Sequence, residues 1–92
     1  MINIVRLSKR AKKDLLRVPG HVAVHFTKWA EDVEHKGVEE VRKIPGYHDE
    51  PLHGRRKGER SIRLTRAYRA IYRIHEMEAK FIEVEEVNKH EY

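Results

Sequence analysis

The chain has 92 residues, a formal net charge of +5 and no cysteine. This length suits one domain with a thin core, so we expect residues 1–92 to form a single domain. A chain without cysteine forms no disulfide, uses no thiolate chemistry and fits a reducing compartment such as the cytoplasm. No apolar run reaches the roughly 20 residues that span a bilayer, and the first residues do not resemble a signal peptide. We therefore expect a soluble protein with no membrane partner.

The first half of the sequence predicts one strand followed by two helices. The apolar run at 2–7 is typical of a strand. Ser8 offers a hydroxyl that can cap a first helix, and Pro19-Gly20 ends that helix. A second helix is predicted over 21–36, because its apolar residues recur on one face. These residues are Val22, Phe26, Trp29, Ala30 and Val33. Helices joined by two residues should lie antiparallel, as a helical hairpin.

The second half of the sequence predicts three strands. Residues 38–44 suggest a further helical turn, and 47–54 have no periodicity, which is typical of an irregular loop. Alternating runs at 59–65 and 68–74 predict a tight hairpin, and 80–87 predicts a last strand. The order β-α-α-β-β-β predicts an α+β fold, in which an antiparallel four-stranded sheet carries the helical hairpin on one face.

Positive charge is concentrated in residues 55–73. This stretch holds eight of the twenty Lys/Arg residues, one acid and two interleaved tyrosines. Cations interleaved with aromatic rings on strands are typical of a surface that binds a polyanion, most commonly a phosphodiester backbone. We predict general phosphate contacts for Arg55, Arg56, Lys57 and Arg73.

The chain also contains the types of side chain that cleave RNA without a metal. A base must take the proton of the 2′-hydroxyl, positive charge must stabilise the five-coordinate phosphate, and an acid must protonate the leaving 5′-oxygen. Glu50 offers a carboxylate in the irregular loop, and Arg63 and Arg69 offer charge on strands. His90 and Tyr92 lie two apart, so an extended tail places both on one face. The residues alone leave open whether these groups converge.

Other aromatic and histidine residues are interpreted as structural. Trp29 lies on the apolar stripe of the second helix, and Tyr68 and Tyr72 share an alternating strand face with apolar residues. We therefore predict that these three rings belong to the core. Tyr47 and His48 precede Glu50 and could line a site, but we interpret them as ordinary loop residues.

Several features of the sequence resemble those of the RelE/ParE toxin superfamily. They are the order of elements, Gly58 and the segments Glu50-Pro-Leu52, Ser61-Ile-Arg-Leu-Thr65, Tyr68-Arg-Ala-Ile-Tyr72 and His90-x-Tyr92. The middle and the end of the chain are most similar to the YoeB-type mRNA interferases. That resemblance implies a toxin of a type II toxin–antitoxin system that cleaves mRNA in the ribosomal A site without a metal or cofactor. It also implies an acidic antitoxin as partner, and contact with operator DNA only through the antitoxin complex.

The same resemblance implies a role for each candidate site residue. Glu50 resembles the general base of the family, and His90 resembles its general acid. Arg69 resembles the arginine that stabilises the transition-state phosphate, and Arg63 resembles a second basic residue of that site. Tyr92 resembles the terminal tyrosine that places the nucleotide.

Two positions depart from the YoeB-type pattern. His53 stands where that pattern has a lysine, so a phosphate contact from His53 would depend on its protonation. Glu91 separates His90 from Tyr92, whereas the pattern has the histidine and tyrosine adjacent.

Two other functions stay open at this point. A non-catalytic ParE-like toxin that poisons DNA gyrase would have a similar fold and basic sheet. It would not need the set Glu50, Arg69, His90 and Tyr92, and the presence of that set favours the nuclease. A degenerate toxin that only binds its antitoxin and operator DNA is the third possibility.

Overall fold

The computed structural model describes residues 1–90, and in this part of the chain three helices and five strands follow one another. The helices are α1 (Lys9–Arg17), α2 (Gly20–Lys36) and α3 (Val38–Val41). The strands are β1 (Val5–Leu7), β2 (Glu50–Pro51), β3 (Glu59–Arg63), β4 (Tyr68–His75) and β5 (Phe81–Lys89). Short 3-10 turns at Pro45–Tyr47 and Gly54–Arg56 flank β2. No helix in residues 1–90 is both long enough and apolar enough to cross a membrane.

Local sequence determines where the first two helices begin and end. Ser8 caps α1 as predicted, because its Oγ accepts a hydrogen bond of 3.0 Å from the backbone N–H of Ala11. Pro19 then stands at the start of α2. Gly37 ends α2 with a φ of 83°, a left-handed conformation that glycine adopts without strain.

The strands form one sheet with the order β1-β5-β4-β3-β2. The α+β prediction is confirmed, but the sheet has five strands instead of four, and β1 pairs with β5 in parallel. The extra strand, β2, has only two residues, too few to show the alternation that predicts a strand. The parallel pairing is possible because the helices between β1 and the rest of the sheet provide the crossover that parallel strands need.

The helices cover one face of the sheet and form the core with it. The buried members from α1 and α2 are Ala11, Val22, Phe26, Trp29 and Val33, and those from β3 to β5 are Ile62, Leu64, Ala70, Tyr72, Ile82, Val84 and Val87. The ring centroids of Trp29 and Tyr72 are 5.3 Å apart. The predicted core positions of these two rings are confirmed, and Tyr68 packs against the same cluster.

The opposite face of the sheet, which we call the open face, lies away from the core cluster. Side chains alternate along a strand, so Arg69, Ile71 and Arg73 of β4 lie on this face, while Ala70 and Tyr72 lie in the core. The open face therefore carries most of the charged residues of the strands, although Arg60, opposite Tyr72, lies on the core face.

Candidate active site

A cavity of about 150 Å³ lies at the end of the sheet where β2, β3 and β4 meet the residue that follows β5. Four predicted site residues line it together, namely Glu50, Arg63, Arg69 and His90. They come from four separate parts of the chain. The structure thus brings together groups whose convergence could not be decided from the residues alone.

Strand pairing explains why these side chains meet. Glu50 is the register partner of Ser61, and Arg63 is the register partner of Arg69. Directly opposed residues of paired strands lie on the same face, so Arg63 and Arg69 share the open face, and Glu50 shares a face with Ser61 beside them. The backbone N–H of His90 donates a 2.6 Å hydrogen bond to the carbonyl of Ala67, which fixes His90 beside the β3–β4 turn.

Two of the three arginines that line the cavity, Arg63 and Arg69, make only long polar contacts. Nε of Arg69 lies 3.4 Å from Oδ1 of Asn88, and Nη1 of Arg63 lies 3.4 Å from Nε2 of His48. No carboxylate among residues 1–90 forms an ion pair with either guanidinium. Both groups therefore keep donors for the paired hydrogen bonds that arginine makes to phosphate.

A buried carboxylate anchors the loop that leads into β2, the strand that carries Glu50. The Asp49 side chain is 1% exposed and accepts hydrogen bonds from Nε of Arg60 at 2.6 Å and from the Tyr72 hydroxyl at 2.5 Å. Burial of the ring, together with the charge of Asp49, raises the pKa of Tyr72, so the phenol keeps its proton and donates. The loop is thereby fastened to the sheet one residue away from Glu50.

Comparison with protein families identifies the chain. The family model described as the ParE toxin of the type II toxin–antitoxin system parDE matches residues 5–91. The chain belongs to this family of toxins. The resemblance to the RelE/ParE superfamily is thereby confirmed, and no curated protein sequence matches the toxin.

Solved structures share the fold of the toxin. The RelBE2 toxin–antitoxin complex from Mycobacterium tuberculosis aligns with a TM-score of 0.72 and 22% identity, over 98% of this chain and 100% of that chain. The archaeal RelE–RelB complex from Pyrococcus horikoshii gives 0.71 and 23%, over 97% and 96%. YafQ from E. coli gives 0.73 and 17%, over 92% and 90%. At these identities the alignments show the fold.

Two arginines that we predict to contact phosphate are paired with carboxylates in the toxin. Arg56 donates to Oε1 of Glu59 at 2.9 Å and to Oε2 of Glu86 at 2.8 Å. Arg73 donates to Oε1 of Glu85 at 3.0 Å. The hydrogen bonds from Arg56 lower the pKa of Glu59 to about 2, although burial of Glu59 opposes this shift. Since a phosphate would have to displace carboxylates, we leave Arg56 and Arg73 out of the proposed site.

The remaining predicted residues lie around the cavity or beyond the described chain. His53, Arg55 and Lys57 are exposed in the segment between β2 and β3 and do not line the cavity. Their phosphate contacts stay a prediction. Tyr92 lies outside the described residues, so its role also stays a prediction.

Among the other residues that line the cavity of the toxin, His48 and Arg66 carry hydrogen-bonding groups that the sequence analysis did not assign to the site. His48 lies in the cavity, against its interpretation as an ordinary loop residue, and its φ of 46° is uncommon outside glycine. Arginine only donates hydrogen bonds, so in the contact with Arg63 the Nε2 atom of His48 is the acceptor. The sequence could have indicated a site role for Arg66, because it lies in the predicted turn between two strands that carry site residues.

Proposed function

We propose that the toxin is an endoribonuclease that cleaves mRNA in the ribosomal A site and needs no metal. The observation that supports this most strongly is the single cavity shared by Glu50, Arg63, Arg69 and His90. RNA cleavage requires a base, positive charge and an acid around one phosphate. These four side chains provide all three, and two arginines supply the charge that a metal would otherwise provide.

In the proposed reaction, Glu50 accepts the proton of the 2′-hydroxyl and the 2′-oxygen forms a bond to the adjacent phosphorus. Arg63 and Arg69 donate hydrogen bonds to the five-coordinate phosphate, whose extra negative charge they stabilise. The bond between phosphorus and the 5′-oxygen then breaks, and His90 donates a proton to that oxygen. The products are a 2′,3′-cyclic phosphate and a 5′-hydroxyl, with one proton accepted and one donated.

Residues outside this set would hold the RNA strand. In the proposal, Arg55, Lys57 and His53 contact phosphates that flank the cleaved linkage, because they are exposed near β2. Tyr92 places the nucleotide, as its resemblance to the terminal tyrosine of YoeB-type toxins implies.

We infer that an acidic antitoxin covers this cationic end of the toxin in the cytoplasm. The family match supports a partner of this kind, and the M. tuberculosis relative is itself a toxin–antitoxin complex. An acidic segment complements the arginines of the cavity, which have no carboxylate partner in residues 1–90. Operator DNA is then contacted through the antitoxin complex.

Primer extension on mRNA from cells that briefly express the toxin tests the nuclease. We expect discrete cuts inside translated frames, and their loss in Glu50→Ala, Arg69→Ala and His90→Ala. Arg17→Ala is the matched control, because Arg17 is an exposed cation at the end of α1, away from the cavity. Circular dichroism must show that each variant is folded. A folded Arg69→Ala variant that still cuts mRNA would contradict the proposed site.

The match of the ParE toxin model over 5–91 favours a second candidate, a toxin that poisons DNA gyrase without catalysis. Gyrase poisoning needs no acid–base pair, so Glu50→Ala and His90→Ala would then still arrest growth. Inhibition of purified gyrase in a supercoiling assay, together with intact mRNA in arrested cells, would support this candidate and contradict the nuclease.

A further inference from the structure

A second and larger concave surface lies beside the cavity. We call it the α2 groove: it runs between α2, the Pro45–Tyr47 turn and the β3–β4 turn, and its volume is about 690 Å³. This volume lies within the roughly 300–1,000 Å³ of ordinary small-molecule sites. The proposed reaction assigns no role to the groove.

The α2 groove continues from the candidate active site. Arg63, Thr65 and Arg66 line both the groove and the cavity. A strand of RNA with one phosphate in the cavity can therefore extend along the β3–β4 turn into the groove. Its next nucleotide would reach the groove without crossing the sheet.

The side chains of the α2 groove are of the types that bind single-stranded nucleic acid. Leu64 provides an apolar floor, and the ring of Tyr47 is held in place because its hydroxyl donates a 2.6 Å hydrogen bond to Asp32. The same hydrogen bond is accepted by the Asp32 carboxylate, which also lines the groove. Lys28 and Arg66 are exposed at the rim and form no ion pair with residues 1–90. Aromatic rings with nearby cations bind successive nucleotides by stacking and by phosphate contacts.

We propose that the α2 groove binds the nucleotide one position beyond the two that flank the cleaved linkage, with its base against Tyr47 and Leu64 and its phosphate near Lys28 and Arg66. This inference rests on the proposed nuclease function, because the RNA must enter the cavity for its neighbouring nucleotide to reach the groove. An acidic peptide would satisfy the cations of the rim. The shared wall with the cavity and the fixed tyrosine ring favour RNA as the occupant.

Fluorescence anisotropy with cleavage-resistant RNA tests the proposal on the full chain. The probes are a dinucleotide with a 2′-deoxy group at the cleaved position, and the same dinucleotide extended by two nucleotides on either side. We expect an extended probe to bind about ten-fold more tightly, the change that about 1.4 kcal/mol of base stacking produces. Lys28→Glu should remove this gain and leave the dinucleotide affinity unchanged.

Lys36→Glu is the matched control, because Lys36 is an exposed lysine on the same helix that does not line the groove. Equal losses from Lys28→Glu and Lys36→Glu would overturn the proposal, since they would indicate long-range charge attraction alone. No gain in affinity with probe length would also overturn it. An acidic peptide whose binding is abolished by Lys28→Glu, with RNA binding unchanged, would assign the groove to a protein partner instead.

Failure of the nuclease proposal gives a different result. An Arg69→Ala variant that binds the dinucleotide as tightly as the parent toxin contradicts phosphate binding in the cavity. This result does not depend on Lys28 or on the α2 groove. Loss of dinucleotide binding in Arg69→Ala, with the length-dependent gain lost only in Lys28→Glu, supports both proposals separately.

Discussion

The hydroxyl of Tyr72 donates a 2.5 Å hydrogen bond to Oδ2 of Asp49, and this bond joins the loop before β2 to the central strand of the core. The anchored carboxylate is almost completely buried, while its neighbours His48 and Glu50 are exposed and line the cavity. Asp49 thus fixes the end of the loop to the sheet, and the next residue, Glu50, is the proposed base. A candidate base on a strand of only two residues needs support of this kind if its geometry is to be held.

Tyr72→Phe should lower the free energy of unfolding by about 1.5–3 kcal/mol, the usual loss for a hydrogen bond to a charged group. It removes one donor from a buried carboxylate and leaves the aromatic packing in place. Urea unfolding measures the change, with Tyr68→Phe as control, because the Tyr68 hydroxyl makes no hydrogen bond within residues 1–90. Equal stability of the two variants would show that the bond to Asp49 does not fasten the loop.

Gly58→Ala should destabilise the toxin by about 1–3 kcal/mol, because Gly58 has a φ of 97° that other residues adopt only with strain. A Cβ at this position would also lie 2.7 Å from Nη1 of Arg73, so the guanidinium would have to move from its place beside Glu85. Gly46→Ala is the control, since nothing lies within 4 Å of a Cβ there and φ is not positive. A thermal unfolding midpoint that falls no further in Gly58→Ala than in Gly46→Ala would contradict this account.

Helices and strands with one buried face could be predicted, because their apolar residues recur at a regular spacing in the sequence. The stripe that contains Trp29 and Val33 predicts α2, and the alternation around Tyr72 predicts β4. The two residues of β2 show no such repeat. Their pairing with β3 comes from the anchored loop, which depends on the contact of Asp49 with Tyr72, 23 residues further along the chain.

The types of residue in the candidate site could be predicted from the sequence. Which of several similar arginines belongs to the site could not. Arg56 and Arg63 have equivalent surroundings in a basic stretch of sequence. They differ because Arg56 pairs with Glu59, three residues away, and with Glu86, which is 30 residues away and is brought near only by the folding of β5 against β4. No local pattern shows the contact with Glu86, so Arg56 was grouped with the phosphate contacts.

Acidification should remove the stabilisation that Glu59 contributes. Its pKa is lowered to about 2 by the hydrogen bonds from Arg56, so its folded-state pKa lies below the unfolded value of about 4.3. Ionised Glu59 therefore stabilises the fold above about pH 4.5, and this contribution is lost as the pH falls toward 2. We expect the loss to be about 2 kcal/mol, allowing for solvent at the partly exposed Arg56. The pKa of Glu85 is raised by burial and by Glu59, so protonation of Glu85 offsets part of the loss.

Urea unfolding at pH 7 and pH 2.5 measures this contribution. The free energy difference between the parent toxin and Glu59→Gln should be full at pH 7 and much smaller at pH 2.5, where Glu59 is protonated in the unfolded chain and partly protonated in the folded one. Glu31→Gln controls for the loss of a carboxylate, because Glu31 is exposed on α2 and forms no ion pair in the described part of the chain. A difference that stays constant with pH would contradict the lowered pKa of Glu59.

Asn88→Leu should lower the rate of mRNA cleavage on ribosomes by about ten-fold while leaving substrate affinity nearly unchanged. Oδ1 of Asn88 accepts from Nε of Arg69 at 3.4 Å, and its Nδ2 donates to Glu86, so the amide orients the arginine toward the cavity. If Arg69 stabilises the five-coordinate phosphate, a misoriented guanidinium loses transition-state stabilisation more than substrate binding. Glu83→Gln is the control, since Glu83 lies on the same strand, opposite Arg73. Equal single-turnover rates for Asn88→Leu and Glu83→Gln would show that Asn88 does not position Arg69.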